Sequence, residues 1–286
     1  MRILVTGAAG LIGKKMTSYL SSIGYDVIPV DCVEHKGIVC ADLRDESAVF
    51  RIFNEQTPDL IIHLAAIKNI KLCEENKEAS RATNYGIPEV LTRICSESKI
   101  RMIFFSSDYV FGKYDHFWKE GDSPCPTTQY GIDKAASEFL IQEKLSDYAI
   151  IRTAQLYGFR GDFVSLVWDA LSSNQEFLAF ANLVNCPTWI DDLLAMLNKI
   201  ICQGSQGIFH CVGPEALSRY QYACAVAEAF SLDTSYIKAV NLDFSTDIRP
   251  PVVRLNGTST YDSLQVYPGT LKDNLSFCSS YTIQRV

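Results

Sequence analysis

The chain has 286 residues, of which 48% are hydrophobic and 21% charged, and its formal net charge is −7 at pH 7. This composition predicts a packed globular core rather than a disordered chain. The negative charge does not favour non-specific nucleic-acid binding, which needs clustered Lys and Arg against the phosphates. The sequence has no apolar run of the roughly 18 residues typical of a membrane span. It also begins directly on a strand-like segment without a signal-peptide pattern, so we expect a cytoplasmic protein with no membrane partner.

Ten cysteines are spread along the chain, at positions 32, 40, 73, 95, 125, 186, 202, 211, 224 and 278. None of them forms a C-x-x-C pair, and no histidine has zinc-finger spacing, so we expect no metal site. Most of the cysteines lie inside apolar segments, which predicts reduced and buried thiols.

The first half of the chain alternates short apolar runs with helix-length segments. The apolar runs lie at 2–6, 26–30, 59–65, 101–106 and 148–152, and the helical segments lie at 10–22, 45–55, 84–98 and 130–145. Continuous runs of Val, Ile, Leu and Phe are typical of strands that are buried on both faces of a parallel sheet. The alternation therefore predicts an α/β fold with a doubly wound parallel sheet.

The alternation weakens after about residue 157. Helical segments are predicted near 162–172, 190–203 and 219–230, and a polar, proline-containing and irregular segment follows at 245–270. We interpret residues 1–157 as one α/β domain and residues 158–286 as mainly a small substrate-binding cap, interleaved with the last strands of the sheet.

A glycine-rich turn follows the first strand. Gly7, Gly10 and Gly13 have the spacing G-x-x-G-x-x-G between a strand and a helix, which is the context in which this pattern indicates dinucleotide binding. The three glycines would form the tight turn, allow the backbone to approach the pyrophosphate, and permit close packing of the helix. Leu11 and Ile12 begin the helix whose N–H groups would face the anion. Residues 1–157 are thus predicted to form a Rossmann-type NAD(P)-binding domain.

Two acids and one small-residue stretch extend this predicted cofactor site. Asp31 ends the second strand, 18 residues after Gly13, where a carboxylate can accept hydrogen bonds from ribose hydroxyls and repel a 2′-phosphate. This favours NAD(H) over NADP(H), although His35 and Lys36 soften the preference. Asp42 would meet the adenine next to Leu43, or would cap a helix starting at Leu43. Small residues after the third strand would let the backbone approach the cofactor; the residues are Leu64, Ala65 and Ala66.

The segment Tyr130-Gly-Ile-Asp-Lys134 places a phenol and an ammonium on one helix face, at positions i and i+4. A nearby ammonium favours the phenolate and lowers the pKa of the phenol, which is ordinarily about 10. Ser107 follows the fourth strand, at the sheet edge where α/β enzymes place ligand chemistry, and its hydroxyl could bond a reacting carbonyl. No G-x-S-x-G motif is present, which disfavours a serine hydrolase.

With these motifs in place, the chain resembles the extended short-chain dehydrogenase/reductases, and within them the dTDP-4-dehydrorhamnose reductase branch. The matches run through most of the chain. They are the glycine motif, Asn69 to Glu74, Asn84, Ser106 to Phe111, Tyr130 with Lys134, Arg152-Thr153, Pro187-Thr188, Gly207 to His210, Ser218 to Tyr220, and Arg249-Pro250.

This resemblance implies a role for each residue. Tyr130 would protonate the sugar alkoxide, Lys134 would lower the pKa of Tyr130 and bind the nicotinamide ribose, and Ser107 would polarise the substrate carbonyl. Asn84 would support a neighbouring loop and a water that relays protons. The resemblance also implies a homodimer formed through the helices near 84–98 and 130–145.

The substrate side of the predicted site departs from the branch. Gln155 stands where the branch usually has Trp, which indicates a different sugar. Asp108 is followed by Tyr109 instead of the Glu of the 4,6-dehydratases, so dehydration is disfavoured. Asp108 and Tyr109, like Gln155, are candidates for contact with the substrate. Asp108 is expected mainly to form hydrogen bonds within its loop. Arg249 is a candidate for the substrate phosphates because guanidinium forms a bidentate fork.

Three functions remain open from the sequence. The first is an NAD(P)H-dependent reductase of a 4-keto nucleotide-activated deoxysugar. The second is a nucleotide-sugar 4-epimerase that keeps NAD tightly bound, and the third is a non-catalytic regulatory or scaffold member of the family.

Overall fold

The computed structural model describes residues 1–282, and in its first half strands and helices alternate as the sequence predicts. The strands are, in chain order, β1 (Arg2–Thr6), β2 (Asp26–Asp31), β3 (Val39–Cys40), β4 (Leu60–His63), β5 (Arg101–Phe105), β6 (Phe117–Trp118), β7 (Tyr148–Arg152), β8 (Leu156–Tyr157), β9 (Phe177–Phe180), β10 (Val184–Asn185), β11 (Thr188–Trp189), β12 (Gly207–His210), β13 (Leu217–Ser218), β14 (Ile237–Val240) and β15 (Arg254–Leu255). The helices are α1 (Leu11–Ser22), α2 (Glu46–Gln56), α3 (Ile70–Glu75), α4 (Lys77–Arg81), α5 (Ile87–Ser98), α6 (Gln129–Lys144), α7 (Phe163–Ser172), α8 (Ile190–Gln203), α9 (Arg219–Ala229), α10 (Thr258–Leu264) and α11 (Leu271–Thr282).

Seven of these strands form one sheet in the order β3-β2-β1-β4-β5-β7-β12. The ladders from β3 to β7 are parallel, and they bring Thr6, His63 and Phe104 into one row. The strand order reverses between β1 and β4, and a reversal of this kind opens a crevice at the carboxyl ends of the strands. The predicted doubly wound α/β class is confirmed.

The chain divides into two compact units. The first comprises residues 1–110, 126–151 and 204–208, and the second comprises residues 111–125, 152–203 and the chain from residue 209 onward. The core of the first unit lies between the sheet and its helices, and includes Leu4, Ile61 and Phe104. The second unit has its own apolar core, which includes Tyr157, Tyr222 and Val226.

The start of α2 differs from one of the two expectations for Asp42. The helix begins at Glu46, and its cap is Asp45, whose carboxylate accepts a hydrogen bond from the N–H of Ser47 at 3.0 Å. Asp42 instead pairs with Arg44, with Nη2 and Oδ2 2.6 Å apart. Hydrogen bonds from Arg44 hold the pKa of Asp42 below its usual value. The prediction that Asp42 caps a helix starting at Leu43 was therefore wrong, because α2 begins at Glu46 and Asp45 caps its start.

The segment from 245 to 270 is more regular than predicted, since it contains β15 and α10.

Fewer cysteines are buried than the sequence predicts. Cys32, Cys40 and Cys202 are exposed, and the buried thiols are Cys73, Cys95, Cys186 and Cys211. The side chain of Cys278 lies outside the described residues. Within the part of the chain that is described, no helix is long and apolar enough to span a bilayer, and no cluster of His, Cys, Asp and Glu suits a metal ion.

Candidate active site

The glycine-rich turn packs tightly against the loop that follows β4. Gly7 has φ +70°, and a Cβ atom placed on it would lie 2.8 Å from the backbone nitrogen of Ala65. A Cβ atom on Gly13 would lie 2.1 Å from the carbonyl oxygen of Gly7, which no rearrangement of a flexible side chain can relieve. A Cβ atom on Gly10 meets only the Gly7 carbonyl, at 3.2 Å. Gly7 and Gly13 are thus required by the packing of the turn itself, whereas Gly10 leaves its outer side open.

This difference gives a testable pair of variants. Gly13→Ala is expected to lower the free energy of unfolding by at least about 2 kcal/mol, because it forces backbone atoms apart. Gly10→Ala is expected to change that free energy by less than about 1 kcal/mol and to weaken dinucleotide binding at least tenfold. Denaturant unfolding and a fluorescence titration with NADH would measure the two effects. Equal stability of the two variants would contradict this account of the turn.

The carboxylate of Asp31 fastens this turn to the end of β2. Its Oδ2 accepts a hydrogen bond from the N–H of Ala9 at 2.9 Å, and its Oδ1 accepts one from the N–H of Val33 at 3.1 Å. The following helix, α1, begins at Leu11 and continues through Ile12, and its cap, Gly10, provides no side-chain hydrogen bond. The first amide groups of α1 are therefore left without an internal side-chain cap, which is the arrangement that suits an anion.

The loop after β4 is fastened from two sides. The Oγ1 of Thr6 accepts hydrogen bonds from the N–H groups of Leu64 and Ala65, at 3.2 and 3.3 Å. Beyond Ala66, the side chain of Asn84 accepts a hydrogen bond from the N–H of Ile67 at 2.9 Å and donates one to the Ile67 carbonyl at 3.1 Å. The structure thus brings the predicted cofactor residues 64–66 beside the glycine-rich turn and gives Asn84 the loop-supporting contacts that the resemblance implies.

Ser107 lies in a tight turn after β5. Its Oγ donates a hydrogen bond to Oδ1 of Asp108 at 2.9 Å and accepts one from the N–H of Tyr109 at 3.2 Å. A short 3₁₀ helix, Asp108–Val110, follows. Asp108 is buried and orients the serine hydroxyl, which agrees with its predicted part as a hydrogen-bonding loop residue. To bond a substrate carbonyl, this hydroxyl must turn its proton away from Asp108.

The first two turns of α6 bring Tyr130 and Lys134 to the end of β5. The Oγ1 of Thr128 caps the helix by accepting from the N–H of Gly131 at 3.1 Å. A Cβ atom on Gly131 would lie 2.1 Å from the carbonyl oxygen of Tyr109, so the glycine allows the helix to touch the turn that follows Ser107. The rings of Tyr130 and Tyr109 meet edge to face, with their centroids 6.1 Å apart.

Lys134 is almost fully buried at the carboxyl end of β5. Its Nζ donates a hydrogen bond to the Phe105 carbonyl at 2.8 Å and lies 4.4 Å from the centre of the Phe104 ring. Burial lowers the pKa of Lys134 to about 7, and the charge of Glu138 opposes this change. The ammonium and the neutral amine are therefore both accessible near neutral pH.

The pKa of Tyr130 moves in the direction opposite to the one expected from a nearby ammonium. Burial raises it well above the usual value, and a hydrogen bond with Ser107 lowers it by less. The negative charge of Asp108 raises it further. At neutral pH the phenol of Tyr130 is therefore protonated, which is the form that can give a proton to an alkoxide.

The remaining predicted substrate residues lie in the second unit. Gln155 has φ +28° and accepts a hydrogen bond from the guanidinium of Arg219. Arg249 forms two hydrogen bonds with the carboxylate of Asp247, at 2.9 and 2.7 Å. Contact of Arg249 with a phosphate stays a prediction, and a phosphate would have to compete with Asp247.

Sequence reasoning missed three features of the site. The first is a π-helical turn, Ala82–Gly86, which precedes α5 and contains Asn84. Such turns are rare and often occur at functional sites, and no pattern in the sequence predicts this one. Gly131 could have been noticed, since a glycine inside a helix usually has a packing reason. Asp133 is fully buried, which the sequence pattern of Tyr130 and Lys134 around it does not indicate.

The comparisons with known proteins agree with this arrangement. The RmlD substrate binding domain family matches residues 1–275. The probable low-salt glycan biosynthesis reductase Agl14 of Haloferax volcanii is 28% identical over 296 residues, covering 96% of each chain. Methionine adenosyltransferase 2 subunit beta of Xenopus laevis is 27% identical over 253 residues, covering 84% of this chain and 75% of that protein. The crystal structure of a dTDP-4-dehydrorhamnose reductase from Clostridium acetobutylicum matches with a TM-score of 0.89 and 25% identity, covering 99% of this chain and 100% of that one. This chain belongs to the RmlD substrate binding domain family.

Proposed function

We propose that the protein is an NAD(P)H-dependent reductase of a 4-keto nucleotide-activated deoxysugar. The predicted class, an NAD(P)-dependent oxidoreductase of sugar nucleotides, is confirmed by the family and by the reductases among its relatives. The finer proposal, which concerns the 4-keto sugar and the direction of the reaction, depends mainly on one observation. Tyr130 is buried, and burial keeps its phenol protonated at neutral pH, while the Nζ of Lys134, one helical turn away, bonds the carbonyl of Phe105 at the end of the strand that Ser107 follows.

In the proposed reaction, the reduced nicotinamide supplies the hydride that converts the sugar ketone to an alcohol. The hydroxyl of Ser107 would turn from Asp108 to the ketone oxygen, where it stabilises the negative charge that develops. The phenol of Tyr130 would give its proton to that oxygen. The raised pKa of Tyr130 suits this direction, because the phenol begins the reaction protonated. Lys134, with a pKa near 7, can hold a ribose hydroxyl and return a proton to Tyr130.

The residues of the first unit fit a dinucleotide. The outer side of Gly10 is open, and α1 has no side-chain cap at its first amides. Asp31 stands at the end of β2, where it can accept hydrogen bonds from ribose hydroxyls. We propose that this unit, with the predicted domain 1–157, binds the cofactor, and that the later part of the chain, 158–286, contributes mainly to sugar binding. The homodimer expected from the resemblance remains part of this proposal.

The direct test is turnover. The purified protein would be mixed with NADH or NADPH and a dTDP-linked 4-keto-6-deoxysugar, and loss of the reduced nicotinamide would be followed by absorbance. We expect oxidation of the dinucleotide that depends on the sugar, with formation of a 4-hydroxy product. NAD that remains bound through purification, together with sugar interconversion without net oxidation, would support the 4-epimerase instead.

The proposal that NAD(H) is preferred over NADP(H) is based on Asp31. Asp31→Asn removes the charge that would repel a 2′-phosphate while retaining an oxygen that can accept from Ala9. The ratio of the Kd for NADPH to the Kd for NADH is expected to fall at least about fivefold, since two like charges about 4 Å apart repel by about 1 kcal/mol even in bulk water. Fluorescence titration of both dinucleotides would measure it. A ratio unchanged by the substitution would remove Asp31 from the basis of cofactor preference.

The relative named methionine adenosyltransferase 2 subunit beta favours one further candidate, a subunit that regulates another enzyme. Under that function the Ser107, Tyr130 and Lys134 set has no chemical task. If the protein binds neither NADH nor NADPH and turns over no sugar nucleotide, this regulatory candidate replaces the reductase.

A further inference from the structure

We propose that Asp133 is a positioning residue for the reaction described above: its carboxylate sets the direction of a buried hydrogen-bond relay that holds the loop after β4 in place. This inference depends on the proposed reductase function for its kinetic consequences but not for its structural ones. Asp133 lies on α6 between Tyr130 and Lys134, and it is fully buried.

Asp133 is surrounded by hydrogen-bond donors. Its Oδ2 accepts from the hydroxyl of Ser80 at 2.7 Å, and its Oδ1 accepts from the side-chain amide of Gln129 at 3.0 Å. The guanidinium of Arg81, which is half exposed, lies 3.4 Å from the same Oδ1. A buried carboxylate is tolerated when charge and hydrogen bonds satisfy it in this way.

The relay passes from Asp133 to the loop through two buried side chains. Ser80 has one hydroxyl proton, and a carboxylate can only accept, so that proton goes to Asp133. The lone pairs of Ser80 then accept from Nδ2 of Asn84 at 3.2 Å. This supports the orientation of the Asn84 amide in which its Oδ1 accepts from the N–H of Ile67 and its Nδ2 donates to the Ile67 carbonyl.

The relay thus links the helix of Tyr130 and Lys134 to the loop of the predicted cofactor residues 64–66. The hydroxyl of Ser137, one turn after Asp133, lies 2.9 Å from the carbonyl oxygen of Asn84, which adds a second contact between α6 and the π turn that carries Asn84. The π turn that carries Asn84 needs such support, because π-helical geometry is less stable than α-helical geometry. A displacement of about 1 Å between reacting groups can cost about a hundredfold in rate.

The test is the isosteric variant Asp133→Asn. It replaces one acceptor oxygen by a donor, so either Ser80 reverses its proton and no longer accepts from Asn84, or Gln129 and Arg81 lose their acceptor. We expect kcat to fall at least about tenfold while the KM for the nucleotide sugar changes less than about twofold. We also expect faster hydrogen exchange of the backbone at residues 64–69.

Two further variants make the test specific. Ser80→Ala interrupts the relay at its next member, and the double variant with Asp133→Asn should lose no more activity than the worse single variant, because both act through one network. Glu143→Gln removes an exposed carboxylate of the same helix, which pairs with the neighbouring Lys144, and should behave like the wild type.

Losses in kcat that multiply in the double variant would overturn the relay, and so would exchange at residues 64–69 that Asp133→Asn leaves unchanged. If the wild type reduces no nucleotide sugar, the reductase proposal fails, and the exchange measurement alone then decides whether the relay exists.

Discussion

Replacing Tyr130 by Phe is expected to lower kcat by about 10²–10⁴-fold, which is the contribution of a positioned general acid. The substitution removes the phenol oxygen and leaves the ring, so the edge-to-face contact with Tyr109 and the packing of α6 should persist. The Kd for the dinucleotide should change less than about threefold. Steady-state kinetics with the 4-keto sugar and a fluorescence titration would measure the two quantities.

Tyr114 provides a matched control for this substitution. It also lies beside a lysine, with the Nζ of Lys113 5.4 Å from the centre of its ring, but it is 57% exposed. Tyr114→Phe should retain the wild-type kcat. If Tyr130→Phe also retained more than about a tenth of the wild-type kcat, the proton would have to come from another donor, and the proposed mechanism would be wrong.

Much of the fold was predictable because its signals are local. The runs that became β1, β4 and β5 each contain three or more consecutive buried apolar residues, as is typical of strands buried on both faces, and the glycine motif lies between β1 and α1. The placement of Tyr130 and Lys134 on one helix face, four residues apart, also follows from helix periodicity. These parts needed no knowledge of distant contacts.

Other parts of the site depend on contacts that no local pattern shows. The π turn at Ala82–Gly86 is held by residues of α4 and α6 that lie about 50 positions apart in the chain, such as Ser80 and Asp133. The pKa of Tyr130 was predicted from its distance along the helix to Lys134, but burial decides its direction. Likewise, Arg249 could be chosen as a phosphate ligand from its chemistry, whereas its pairing with Asp247 appears only in the folded chain.

Lys134 should make the stability of the protein depend on pH in a characteristic way. Its folded pKa is about 7 and its ordinary value is 10.5. Between these two pH values the unfolded chain holds the proton and the folded chain does not, so the free energy of unfolding rises with pH across this window. Below pH 7 both states are protonated, and the full cost of burying the ammonium is present. Each unit of pKa is worth about 1.4 kcal/mol, which amounts to several kcal/mol over the window.

Lys134→Met removes this titration and retains an unbranched side chain of similar length. Denaturant unfolding of the cofactor-free protein at pH 7, 8, 9 and 10 would compare the two. We expect the wild type to gain several kcal/mol relative to the variant as the pH rises, while the variant loses reductase activity at every pH. Lys144→Met, at the exposed end of the same helix, should follow the wild type, because its ammonium is solvated in both states. Unfolding free energies of the wild type and Lys134→Met that run parallel across this range would mean that Lys134 stays charged in the fold, and that burial does not lower its pKa.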